Sequence, residues 1–452
     1  MNKNIFRQYD IRGVADSDLE PSLVRDLGKA IGTFHRRKDR GTIAVGRDCR
    51  LSSPRLHGSL ISGIQATGLN VVDLGIVPTP LLYFAVFHYE LDGGVQITGS
   101  HNPSPDNGFK MMSGRASLFG DDILELRKMI ETSDFDLPGG GVVRERNVLP
   151  AYVGFMKGNI SLQRTDLRFA IDAGNGAGGP TALATFRALG LDPIGLLCDM
   201  DGRFPAHHPD PTDPANLELL RDTISHRELD FGIAYDGDAD RIGVVDSKGS
   251  IVWGDKLMIL LSRALLRDHP NAAILGEVKC SQTLYDEISK HGGRPILWKT
   301  GHSLIKTKMK EENALLAGEM SGHIFYADRY FGFDDAIYVS LRLLEILSKS
   351  EKSLHELLED VPATATTPEI RIPCGDDEKF KIVEALTSHF RKSHQVVDID
   401  GARILFDQGW GLVRASNTQP ALVMRFEAAD EARLDDIQTE VQGVLESLSG
   451  TA

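Results

Sequence analysis

Cysteine is scarce in this chain and follows no pairing pattern. Of 452 residues only Cys49, Cys198, Cys280 and Cys374 are cysteines, with no CxxC and no metal-ligand spacing. That argues against a disulfide framework or a thiolate metal site and for buried free thiols. No apolar run approaches the roughly 18 residues that suggest a membrane span. The opening Met-Asn-Lys-Asn-Ile-Phe lacks the apolar stretch of a signal peptide. The expectation is a cytoplasmic protein with no membrane partner. An excess of positive charge is missing too: the formal net charge of −14 argues against nucleic acid as the main partner. A small anionic substrate would have to be caught by local clusters of Arg and Lys. There is no fixed-period repeat of the solenoid kind.

What is present is a soluble composition, 41% hydrophobic and 25% charged, over a length that suggests several domains. A short β-rich run, a Gly/Asp loop and a helical stretch recur. Runs at 42–45, 93–97, 167–171 and 231–235 each lead into such a loop. Strands alternating with helices indicate α/β units, whose ligands gather at strand ends. Breaks fall at Pro138-Gly139-Gly140-Gly141, at Asp246-Ser247-Lys248-Gly249 and at the Pro/Thr linker 362–368. They divide the chain into 1–146, 147–248, 249–361 and 362–452.

The sharpest signal is Tyr235-Asp236-Gly237-Asp238-Ala239-Asp240-Arg241, between two apolar runs. Three carboxylates at alternate positions repel one another, and packing does not require them. A divalent cation relieves the repulsion, and oxygen-only ligands suit a hard ion such as Mg²⁺. An EF-hand is excluded, because Arg241 stands where glycine is needed and Ser247 where glutamate is needed. A metal-free acidic turn is the plain alternative. Arg241 is then a charge partner or a phosphate ligand.

Thr98-Gly99-Ser100-His101-Asn102-Pro103 makes a turn at a strand end, where Ser100 can meet a ligand. It is not a nucleophile elbow, since Asn102 replaces the second glycine. A Ser-His-Asp triad is disfavoured, because the side chain of the adjacent His101 is expected to diverge. Lys110 offers a cation nearby. A phosphoserine beside a three-carboxylate metal site would have a use in in-line phosphoryl transfer.

Two other chemistries compete. Gly174-Asn175-Gly176-Ala177-Gly178-Gly179 fits GxGxxG after a strand-like run, with Asp199 twenty residues past the last glycine, as in an NAD-dependent oxidoreductase. The structural alternative is a tight strand-to-helix turn. Asp236-Gly237-Asp238 also loosely fits a phosphatase with an aspartate nucleophile, though Ala239 departs from that pattern. A catalytically silent sugar-phosphate binder is the remaining option.

The two loops in this order, with further segments, resemble the α-D-phosphohexomutase family, nearest its bacterial phosphomannomutase/phosphoglucomutase branch. Phe6-Arg7-Gln8-Tyr9-Asp10-Ile11-Arg12-Gly13 looks like its N-terminal signature and Gly318-Glu319-Met320-Ser321-Gly322-His323 like its sugar-recognition loop. Arg414-Ala415-Ser416-Asn417-Thr418-Gln419-Pro420 looks like its phosphate-binding loop. Val278-Lys279-Cys280 and the segment from Thr300 to Lys306 match third-domain pieces. Two departures are Ala239 for a common glycine and Gln419 for Thr or Glu.

The resemblance implies three similar α/β domains and a smaller α+β C-terminal domain around a central cleft. It makes Ser100 a phosphoserine and, with Asp236, Asp238 and Asp240, a ligand of one Mg²⁺ per chain. Substrate contacts fall to Tyr9, Lys279, Glu319, Ser321, Arg414, Ser416, Asn417 and Thr418, and catalytic roles to Lys110, Arg12, Arg241, His302 and His323. The implied reaction moves phosphate between C1 and C6 of mannose or glucose through a hexose 1,6-bisphosphate, with glucose 1,6-bisphosphate or a similar compound as activator. In a turned pyranose O3 and O4 roughly exchange places, so a Glu319/Ser321 grip on both ignores C2. A phosphoglucosamine mutase is the alternative within the family, which Met320 disfavours. A monomer is expected.

Overall fold

The protein is described by a computed structural model over residues 1–417 and 419–449. Its strands form four separate sheets. The first orders Ile11–Val14, Asp106–Ser113, Gly93–Ile97, Thr42–Arg47, Asn70–Ile76 and Val143–Glu145 side by side, with Ala116–Ser117 at Asp106–Ser113. Its interior pairs are parallel, and the two pairs made by Asp106–Ser113 with Gly93–Ile97 and Ile11–Val14 are antiparallel. The second and third sheets repeat this plan with five strands each. The last sheet is antiparallel throughout, with two helices, Lys379–Phe390 and Glu431–Ser449, beside it. The four-unit expectation of three α/β layers and an α+β unit is met.

Strand Ile251–Val252 pairs with Ile242–Asp246, so the second sheet runs past the turn at 246–249. Similarly, Ala365–Thr366 pairs with Ala421–Ala428, so the middle of the Pro/Thr linker is stitched into the last sheet. All four cysteines are free, as expected, but only Cys280 is fully buried.

One large apolar cluster is shared by the first three units, and the first unit has a second core where helices Pro21–Arg36 and Ser53–Ala66 pack on its sheet. Helix Thr79–His88, apolar on every side, is buried along most of its length, as such a helix must be. Its Phe84 packs in one cluster with Tyr152, Phe186, Ile233, Leu260 and Leu344. The last unit has a core of its own and meets the third through a small cluster of Val278, Trp410 and Leu412. No helix among the described residues is long and apolar enough to cross a membrane.

Candidate active site

Four hairpin-type connections carry the sequence motifs. Residues 98–105 join Gly93–Ile97 to its antiparallel neighbour, and 236–241 join Phe231–Tyr235 to Ile242–Asp246. Residues 319–323 join Leu316–Gly318 to Ile324–Tyr326, and 416–420 join Gly409–Ala415 to Ala421–Ala428. Each sheet thus sends one loop out of the same topological position.

Ser100 is buried and adopts φ +49°, a left-handed conformation that a non-glycine residue takes only when its surroundings impose it. Arg50 imposes it. Its guanidinium is fully buried and donates to the carbonyls of Ser100 (2.7 Å), Asn102 (2.6 Å), Pro103 (2.7 Å) and Asp106 (3.0 Å). Asp48, 3.2 Å from Arg50, accepts from the Gly99 N–H as well. This backbone turn brings His101 Nδ1 to 3.2 Å from Ser100 Oγ, against the expected divergence. No carboxylate among the described residues hydrogen-bonds that ring, so a triad does not form.

Ser100 Oγ instead donates to Asp236 Oδ2 at 2.7 Å. Asp236, Asp238 and Asp240 are fully buried, with ligand oxygens within 4.8 Å of one another. The N–H groups of Asp240 and Arg241 donate to Asp236 Oδ1, and Thr79 and Lys110 donate to Asp238 Oδ2. Lys110 also donates to Asp240. Asp238 Oδ1 remains buried with no hydrogen-bond partner, and Asp240 Oδ1 faces His323 Nε2 at 3.2 Å. A buried, unpartnered carboxylate oxygen within a cluster of three carboxylates suits a hard divalent cation. A second grouping of Asp240, His323 and Asp334 converges equally closely. It fits a metal poorly, because His323 Nδ1 is engaged by Glu319 at 2.6 Å and Arg241 Nε stands 3.3 Å from Nε2.

The electrostatics follow from burial. It pushes the Asp236 carboxyl well up, helped by repulsion from Asp238 and Asp240. Burial acts likewise on Asp240, but Lys110 and His323 outweigh it and hold that carboxyl well down. His323 is raised to about 9: burial and Arg241 oppose its proton, and Asp240 and Glu319 prevail. His302 is held well below the usual range by burial and by Lys306 and Lys110, so it is neutral. Two histidines with ring centroids 5.9 Å apart are thus pushed in opposite directions by their surroundings.

The remaining site candidates converge on the same cleft. Arg12 pairs with Asp10 at 2.6 Å and donates to Asn102 of the serine loop. Ser321 Oγ donates to Glu319 Oε2 at 3.2 Å, and Glu319 Oε1 accepts from the Gly301 N–H at 2.7 Å. Tyr9 Oη donates to the Thr300 carbonyl and accepts from Asn417 Nδ2. Lys279 pairs with Glu369 at 3.0 Å and lies 3.5 Å from Glu277. Arg414 pairs with Asp400, and Ser416 Oγ accepts from the Gln419 N–H. Thr418 lies outside the described residues. The sequence motifs did not mark Arg50, Thr79, Glu277, Asp334 or Asp400. A lone charged or hydroxyl residue carries no local signal; for Arg50, only the nearby Gly46-Arg47-Asp48 turn hinted at a strand-end loop.

The glycine run at 174–179 has a different use from dinucleotide binding. A Cβ on Gly176 would stand 2.6 Å from the Gly237 carbonyl, and one on Gly237 would stand 2.4 Å from the Ser100 carbonyl. The glycines let three loops stack, so the acidic loop fills the space that a pyrophosphate would need.

Fold and site together define a multidomain α/β enzyme in which a serine, a carboxylate triad and a set of cations share one cleft. The chain belongs to the phosphoglucomutase/phosphomannomutase family. Models of its alpha/beta/alpha domains I, II and III match residues 3–136, 150–249 and 253–365, and that of its C-terminal domain matches 369–444. The phosphomannomutase/phosphoglucomutase of Pseudomonas aeruginosa is 44% identical over 449 residues, covering 99% of this chain and 96% of that protein. That of Pseudomonas putida is 46% identical over 436 residues, covering 96% and 94%. A crystal structure of a phosphoglucomutase/phosphomannomutase family protein from Burkholderia thailandensis superposes with a TM-score of 0.94 at 40% identity, covering 99% of this chain and 98% of that one.

Proposed function

We propose that this enzyme interconverts the 1-phosphates and 6-phosphates of glucose, mannose or both, using Ser100 as the phosphoryl carrier. The observation that carries the reading is the contact of Ser100 Oγ with Asp236 inside a buried carboxylate triad in which Asp238 Oδ1 has no partner. In the first transfer the bond from phosphorus to Ser100 Oγ breaks as one forms to a sugar hydroxyl. That hydroxyl loses its proton and Ser100 Oγ gains one, giving a hexose 1,6-bisphosphate. After the sugar turns around, Ser100 takes back the other phosphoryl group by the reverse exchange.

Asp236, Asp238 and Asp240 with phospho-Ser100 would hold one Mg²⁺, which supplies charge neutralisation at the phosphoryl oxygens. Lys110, Arg12 and Arg241 add fixed positive charge around Ser100. His323, whose proton Asp240 and Glu319 help to hold, and His302, whose proton burial disfavours, would give and take the protons. Glu319 and Ser321 grip the sugar through O3 and O4; Tyr9, Lys279, Arg414, Ser416, Asn417 and Thr418 hold its distal phosphate end. Glucose 1,6-bisphosphate or a similar compound would recharge a dephosphorylated Ser100. The reading is of a cytoplasmic monomer whose functional units follow the divisions 1–146, 147–248, 249–361 and 362–452.

The test is phosphorus NMR of the purified chain with Mg²⁺ and a trace of glucose 1,6-bisphosphate, given glucose 1-phosphate and mannose 1-phosphate in parallel. Conversion of both to 6-phosphates is expected. Conversion of one alone would place selectivity at C2, against the O3/O4 grip. Release of inorganic phosphate, or no change, would overturn the mutase reading.

A further inference from the structure

Asp400 is marked by no motif, yet it joins two of the four loops. It sits in the bend between strands Gln395–Val397 and Ala402–Phe406 of the last sheet. Its Oδ2 accepts from Arg414 Nε and from the Thr300 backbone N–H, each at 3.0 Å, and its Oδ1 accepts from Arg414 Nη2 at 3.3 Å. Gly401 permits this approach: φ is +90°, and a Cβ there would lie 2.6 Å from Arg414 Cβ.

Thr300 and Gly301 are tied from other sides as well. Tyr9 Oη donates to the Thr300 carbonyl at 3.1 Å, and the Gly301 N–H donates to Glu319 Oε1 at 2.7 Å. A Cβ on Gly301 would stand 2.7 Å from Tyr9 Cζ. One dipeptide therefore meets the N-terminal signature, the sugar loop and, through Asp400, the arginine of the phosphate loop.

We infer that Asp400 is a positioning residue: it fixes the guanidinium of Arg414 and ties it to Thr300–Gly301, so that the distal-phosphate clamp and the Glu319 grip are set as one unit. This rests on the mutase reading above for the identity of the ligand. A guanidinium on a long side chain has many rotamers, and a bidentate carboxylate selects one. Nη1 of Arg414 keeps no hydrogen-bond partner among the described residues, which leaves donors for a phosphate. The charge of Asp400 works the other way, because a carboxylate this close repels an incoming dianion. Orientation and repulsion therefore predict opposite signs for removing that charge.

The experiment is equilibrium titration of the full chain, with Mg²⁺, by glucose 6-phosphate. It compares wild type, Asp400→Asn, Asp400→Ala, Arg414→Ala and the double variant Asp400→Ala/Arg414→Ala. Asp400→Asn keeps the shape and should fold normally, checked by an unchanged thermal midpoint. It is expected to weaken binding about 5- to 20-fold, with Asp400→Ala weaker again. The double variant should bind no worse than about twofold below Arg414→Ala, since Asp400 acts through that arginine. In turnover, KM for glucose 1-phosphate is expected to rise by a larger factor than kcat falls, because the weakened contacts are those that hold the bound substrate. Unchanged or tighter binding by Asp400→Asn, or fully additive losses in the double variant, would overturn the inference. A wild type that binds glucose 6-phosphate without interconverting hexose phosphates would sink the mutase reading while the binding series still decides the role of Asp400. A wild type that does not bind it overturns both.

Discussion

At Ser100 backbone strain, burial and a carboxylate contact coincide on one hydroxyl. The left-handed φ costs about 1 kcal/mol and is held by the carbonyl contacts of Arg50. Ser100→Ala keeps that backbone and removes only the carrier oxygen. Turnover is therefore expected to fall by at least about a thousandfold while the chain stays folded, as steady-state kinetics and a thermal melt would show. Near-normal rates would remove Ser100 from the mechanism. A second residue acts on stability alone. His35 is completely buried, its ring nitrogens lack partners, and burial, then Arg40, pushes its pKa down to about 3. The unfolded chain binds a proton there below about pH 6.5 and the folded chain does not, so this residue lowers stability as pH falls from 6.5 toward 3. The loss approaches about 1.4 kcal/mol per pH unit. His35→Leu should flatten that part of a urea-unfolding profile measured from pH 7 to 4; an unchanged slope would refute the assignment. The triad was legible in the sequence because like charges at alternate positions need a reason. His35 and Arg50 were not, because the burial that gives them their roles exists only after folding.

At the scale of elements, one construction recurs: a strand, a short loop and an antiparallel return. It places residues 98–105, 236–241, 319–323 and 416–420 at equivalent points of four sheets. The loops also brace one another. Arg241 and His323 form an isolated backbone bridge, and the Ile242 N–H donates to the Gly322 carbonyl. The Thr79 N–H and Ala336 N–H reach the carbonyls of Asp238 and Ala239 from other helices. The strand–loop–strand units were readable from apolar runs ending in Gly/Asp turns. The GxGxxG run was readable as a tight turn, but its partner was not: a glycine required by a neighbouring loop looks in sequence like one required by a ligand. Arg50 supplies the strongest test at this scale. Arg50→Met orphans the carbonyls it serves and leaves Asp48 as an uncompensated buried charge. A loss of about 3–5 kcal/mol in urea unfolding is expected. Arg50→Lys, which keeps the charge but cannot reach every carbonyl, should fold and lose activity. Full activity in the lysine variant would show that the loop does not need this scaffold.

The whole molecule is three units joined by one shared apolar cluster plus a fourth on a narrower attachment. That attachment is polar as much as apolar. Arg403 donates to the carbonyls of Val278 and Cys280, Arg425 donates to that of Lys279, and the Gln282 N–H donates to Glu427. Contact with the first unit is of a different kind: Asn417 donates to Tyr9 at 2.9 Å, across a cleft the two sides otherwise share. Tyr9, half-buried and raised to about 12 mainly by loss of solvent, stays a neutral hydroxyl able to accept from Asn417 and donate to Thr300 at once. A bisphosphate that turns around without escaping needs a cleft that loosens and closes, and a unit anchored on one side and latched on the other can do both. The latch was not legible in the sequence, because Tyr9 and Asn417 are 408 positions apart. Tyr9→Phe removes the hydroxyl, and with it the bonds to Asn417 and to the Thr300 carbonyl, but leaves the ring against Gly301 and the fourth unit's anchors on the third through Arg403, Arg425 and Gln282 in place. Small-angle scattering should show a larger radius of gyration for Tyr9→Phe than for wild type without ligand, and the two should converge once glucose 1,6-bisphosphate is added. Identical profiles in every state would mean that the fourth unit is fixed, and that the sugar turns within a cleft of constant width.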